Sequence, residues 1–73
     1  METAKLGKRE LKTAVRKNLD FYIGQKVVRS RLKKTLVRRT FDRAIKAGLF
    51  LFAVEGSKAS AVGLVTEVMM EVI

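Results

Sequence analysis

Apolar positions recur with helical period along most of this chain. Leu11, Ala14, Val15, Leu19, Tyr22 and Ile23 form one stripe, while Lys8, Arg9, Lys12, Arg16 and Lys17 cover the opposite side. The spacing predicts a helix over Lys8–Ile23, left at Gly24, with Tyr22 closing its core-facing stripe. A second helical segment is expected over 25–37, where Val28, Leu32 and Leu36 fall at i, i+4, i+8. Its polar side is crowded with Lys26, Arg29, Arg31, Lys33 and Lys34. A third helix is expected from about Thr40. It sets Phe41, Ala44, Ile45 and Gly48 on one side against Arg39, Asp42, Arg43 and Lys46 on the other. Gly48 stands where a left-handed residue would end it.

Two places in the pattern admit more than one reading. No Gly or Pro interrupts residues 32–47, so propensity permits either a turn at Val37-Arg38-Arg39 or one long cationic helix. Residues 49–54, Leu-Phe-Leu-Phe-Ala-Val, are apolar on both faces and suit a buried strand. The composition of Glu55-Gly56-Ser57-Lys58 marks a turn, after which 59–65 would return as a second strand. The same stretches also continue helical stripes, through Leu49 and Phe52, and through Ala61, Leu64, Val65, Val68, Met69, Val72 and Ile73. Residues 66–73 are expected to be helical. Residues 1–7 carry no periodicity and read as a lead-in.

Composition narrows the function. The chain has 73 residues, enough for a single domain near the lower size limit for independent folding. It contains no Cys and no His, so disulfides and the usual zinc ligand sets are excluded, and no metal or cofactor is expected. With no such staple, completion of the core by homodimerisation through residues 59–73 is expected. The net charge is +9 and is unevenly placed: residues 1–46 carry +11 and residues 47–73 carry −2. So strong a positive potential on so small a surface favours a polyanionic partner, nucleic acid first and anionic membrane second. A basic part over 8–48 and an apolar part over 49–73 follow. The N-terminus shows no apolar leader, and the longest apolar run, residues 47–54, falls far short of the ~20 residues that span a bilayer. A cytoplasmic or otherwise intracellular protein is expected.

Catalysis finds little support. Seven carboxylates, one Tyr and the lysines are the available acid–base groups, and none forms a pair in a polar, Gly-rich loop. No phosphate-binding Gly-rich motif is present. The aromatics sit beside apolar stripes rather than among the cations, which disfavours a single-strand stacking platform.

Duplex recognition by a helix remains. Leu32, Leu36, Thr40, Phe41, Arg43, Ala44, Ile45, Gly48 and Leu49 together resemble a winged helix-turn-helix over about residues 25–65. That resemblance implies a mainly helical α+β domain with a C-terminal helix, acting as a sequence-specific regulator on double-stranded DNA. Residues 40–47 would enter the major groove, with Arg38, Arg39, Thr40, Arg43 and Lys46 at base edges. Lys12, Arg16, Lys33, Lys34 and the wing-tip residues Ser57 and Lys58 would meet phosphates. The alternative fold is an all-α domain of three or four helices. Its function would be that of a structural or assembly protein, such as a virion or nucleoid component, holding nucleic acid without reading sequence. A further alternative lays the basic Lys8–Ile23 helix on a membrane surface.

Overall fold

The computed structural model describes residues 5–73 and contains four helices: α1 (Lys8–Ile23), α2 (Gln25–Leu32), α3 (Thr35–Glu55) and α4 (Lys58–Val72). No strand occurs among the described residues, so the winged α+β expectation is overturned and the all-α alternative fits. The proposed lead-in lies partly outside the described residues, whose backbone joins α1 at Lys8.

α1, α3 and α4 form a three-helix bundle. Glu10 meets Lys58 and Asn18 meets Thr66, so α1 and α4 run parallel. α3 runs against both, joined to α4 by a tight link in which Gly56 takes the left-handed conformation at φ 72°. The core consists of Leu11, Val15 and Leu19 from α1, Val37, Phe41, Ala44 and Ile45 from α3, and Ala61, Val65 and Met69 from α4. The short α2 adds Val28 and packs on α1 and α3, clear of α4. α1 occupies the predicted span, and Gly24 at φ 104° makes the joint to α2.

The break between α2 and α3 falls at Lys33-Lys34, not at Val37-Arg38-Arg39, which are helical. Its cause lies in the apolar pattern. Nine residues separate Val28 from Val37, about two and a half helical turns, so on one straight rod they would face opposite ways. Both are buried (2% and 7% exposed), and only a bend between their helices allows that. Lys34 supplies the bend with an extended ψ of 136°. Leu36, which the i, i+4, i+8 pattern placed in the core, is instead 75% exposed.

Gly48 does not end a helix; it lies inside α3, at the point of closest helix approach. A Cβ built there would stand 2.7 Å from Val65 Cγ2, 3.0 Å from Leu11 Cδ2 and 3.4 Å from the Ala61 carbonyl oxygen. The helix therefore continues through 49–55, where a strand was expected, because Leu49 and Phe52 extend the core-facing stripe. Residues 59–65 are likewise helical. Ser57 caps α4 by accepting from the Ser60 amide at 3.2 Å. Tyr22, expected in the core, lies past the bundle end. It is 65% exposed and packs edge-on to Phe21 at a centroid distance of 5.4 Å.

The two glycines inside helices should respond oppositely to the same change. Gly→Ala in an exposed helix interior gains up to about 1 kcal/mol, which is the expectation for Gly63, where a Cβ meets nothing within 4 Å. At Gly48 the new methyl collides with buried Val65, and overpacking of this kind costs ~1–3 kcal/mol. Thermal unfolding should show Gly63→Ala raised and Gly48→Ala lowered in midpoint. A rise for both would refute the close approach.

Candidate nucleic-acid interface

The exposed flank where α1 meets α3 is built from two antiparallel rows of charge. Lys8, Lys12 and Arg16 recur every fourth residue on α1, and Arg38, Asp42 and Lys46 do so on α3. Lys12 Nζ lies 3.1 Å from Asp42 Oδ1 at the centre. Beneath them Phe41, 4% exposed, presents its ring to both cations of α1: Lys12 Nζ lies 5.7 Å and Arg16 Cζ 5.8 Å from its centroid. This cation–π contact holds two α1 cations against the α3 surface.

Asp42 is the only acid in these rows. Its carboxyl is held below the ordinary carboxylate range, first by the hydrogen bond from Lys12, then by the charge of Lys12 and, more weakly, of Lys8 and Lys46; slight desolvation works the other way. Its partner across the seam is thus a lysine of α1 rather than an arginine of its own helix.

Next to the pair, α1, α2 and α3 enclose an open groove of about 640 Å³. Arg16, Arg29, Lys33 and Arg38 line it, with Asp20 and Gln25 at its α1–α2 edge. None of these four cations has an ion-pair partner among the described residues, where the ion pairs are Lys12–Asp42 and Lys58–Glu10. The groove also abuts the start of α3, whose N-terminus has no side-chain cap. Its leading amides add positive potential.

The anticipated site residues divide accordingly. Arg16 and Lys33 line the groove, and Lys34 is exposed at the adjoining bend. Lys12 is committed to Asp42, Lys58 to Glu10 at 3.2 Å, and the Ser57 hydroxyl to the α4 cap. Ser57 and Lys58 stand at the end of the bundle remote from α2, so no wing tip exists there.

The five residues assigned to base edges do not share one face. Arg38 enters the groove, Lys46 faces the Lys8–Asp42 neighbourhood, and Arg39 and Arg43 project from the next row around α3. Thr40 is half-buried and donates its hydroxyl to the Leu36 carbonyl at 3.0 Å. At about 100° per residue, Arg38 and Thr40 point in nearly opposed directions. Arg29 was absent from the anticipated set. Its signal was the i, i+4, i+8 row Gln25, Arg29, Lys33 beside buried Val28.

Among the described residues no helix is long and apolar enough to cross a membrane, and no three His, Cys, Asp or Glu side chains gather as metal ligands. No protein-family model, curated protein or solved structure matches the chain.

Asp42 ties α1 to α3, so removing its charge should loosen the bundle. Asp42→Asn is expected to lower the unfolding midpoint, more at low salt than at high. The pH dependence follows from the lowered carboxyl. Its stabilisation is complete above the range where the unfolded chain's Asp titrates and is lost as pH falls through the lower folded value. The difference in midpoint between wild type and variant should therefore vanish in acid. A constant difference down to strongly acidic pH would contradict the pairing.

Proposed function

We propose that this protein binds double-stranded nucleic acid through its phosphate backbone, on the face formed by α1, α2 and the first half of α3. One observation carries the reading: Arg16, Arg29, Lys33 and Arg38, drawn from three helices and the α2–α3 bend, converge on one groove with Asp20 as the one carboxylate in its lining, and none of the four forms an ion pair among the described residues. Cations held at several points along a rigid surface match the regular spacing of duplex phosphates, whereas the scatter of Arg38, Thr40 and Arg43 around α3 suits base reading poorly. Phe41, the aromatic among the cations, is buried and not offered to unpaired bases. The affinity is electrostatic, so sequence adds little and the physiological role is that of holding or packaging nucleic acid.

Each phosphate neutralised contributes about −0.9 to the slope of log affinity against log salt, so four groove contacts give a slope of roughly −4. Titration of random and mixed-sequence duplexes across salt should return that slope with every sequence. Arg29→Ala and Arg38→Ala should each reduce its magnitude by about 1, and Ser57→Ala should leave it unchanged. A slope near zero, or strong preference for one sequence over random competitor, would refute the proposal.

A further inference from the structure

The flank of the bundle formed by α3 and α4, turned away from α1 and α2, is apolar and uncovered. On α3, Leu36, Phe50 and Val54 are 75%, 72% and 67% exposed. Leu51 and Leu64 are half-buried yet lie outside the core cluster, and Val68 is only partly covered. At heptad-like spacing, Leu36, Arg43, Phe50 and Val54 fall in one line along a helix of 21 residues.

We propose that a second copy of this chain occupies this flank, with the two-fold axis along the bundle so that α3 of each copy lies over α4 of the other. Charge complementarity selects this occupant. Arg43 borders the flank on α3, and Glu67 and Glu71 border it on α4; all three are exposed and lack ion-pair partners among the described residues. Gly48 lies level with a point between Ala61 and Val65. Counting five residues back along α3 and a like number on along α4 sets Arg43 level with Val68, between the two glutamates. A two-fold along the bundle preserves that level and brings each Arg43 to the other copy's Glu67 and Glu71.

The charge distribution also permits this approach and no other broad one. The flank is close to charge-balanced, with Arg39 and Arg43 on α3 against Glu67 and Glu71 on α4, whereas the α1–α3 flank and α2 carry the strong positive charge that would hold two copies apart. An anionic membrane fits less well. With the flank seated on lipid, the groove cations would stand about 20 Å away across the bundle, beyond the ~8 Å screening length at physiological salt. The size is modest: α4, with 15 residues, limits the two-helix face to about 22 Å in length, and at about 20 Å wide its projected area of roughly 450 Å² falls below the ~800 Å² per partner of a standard interface, which sets the dimer in the micromolar range.

The dimer turns its two cationic grooves to opposite sides, so it joins two duplex segments rather than gripping one. That last step rests on the phosphate-binding reading; the interface does not.

Sedimentation equilibrium of the full chain should give a dimer at micromolar concentration, and Phe50→Glu with Val54→Glu should give a monomer with unchanged circular dichroism. Arg43→Glu should weaken the dimer at least tenfold, and adding Glu67→Arg and Glu71→Arg should restore it. Bead-bound duplex should capture a second, labelled duplex with wild type but not with the Phe50/Val54 variant, which still binds single duplexes. A dimer that fails to bind duplex refutes the phosphate reading and leaves the interface standing. A monomeric wild type, a dimer indifferent to Phe50→Glu and Val54→Glu, or a monomer that floats with anionic vesicles overturns the interface.

Discussion

At Gly48 the backbone of α3 touches side chains of α1 and α4 at once, and the arrangement of the bundle depends on that contact. Leu11 and Val65 fill the space a side chain would occupy. Both are fully buried, so neither can retreat without opening a void elsewhere in the close-packed core. The cost of a mid-helix glycine, about 1 kcal/mol of propensity, is offset by packing three helices around one point. The same contact fixes the register of α1 on α3, and so decides which cations of α1 stand over Phe41 and Asp42.

That register carries an electrostatic penalty. Lys8, Lys12 and Arg16 face Arg38 and Lys46 across the helix seam, with one carboxylate between them. Like charges this close are tolerated on an exposed surface because solvent screens them, but they oppose folding. Phe41 and Asp42 hold the seam together from below and from within. A polyanion placed there would do so from outside, and would stabilise the fold by the same screening. On the phosphate-binding proposal, folding and binding act in the same direction at this flank.

Much of the helical structure was legible. α1 was visible to the residue because its stripe is uninterrupted and ends at a glycine. The α2–α3 break was not read where it falls: no Gly or Pro marks it, and its only trace is that the buried face switches sides between Leu32 and Val37. The i, i+4 match of Leu36 to Leu32 concealed this switch. Residues 49–54 misled for a different reason. Apolar residues on both faces imply burial on both faces, which suggests a strand within a sheet. Here Leu49 and Phe52 are covered by the chain's own core while Phe50 and Val54 are left exposed. Gly48 read as a terminator because a glycine's local meaning is conformational, while its use here is tertiary and depends on Leu11 and Val65, remote in sequence. The cationic groove was half legible: Arg16, Lys33 and Arg38 were singled out for charge, but only the fold joins them with Arg29.

The apolar excess at 49–54 and the basic excess before residue 47 are therefore two aspects of one constraint. In a chain this short, a core enclosed by three helices leaves each helix pair with its own outer flank. Mixing charge evenly over the flanks would make each soluble and none specific. Concentrating the cations on the flank between α1 and α3 raises the field there, and necessarily strips the α3–α4 flank of the charges that would keep it apart from other molecules. Lys12–Asp42 and Lys58–Glu10 pin the start of α1, and buried Leu11, Val15 and Leu19 hold the rest, so α1 cannot swing round to cover Leu36 and Phe50. The apolar exposure at Phe50 and Val54 is thus the counterpart of the charge gathered between α1 and α3.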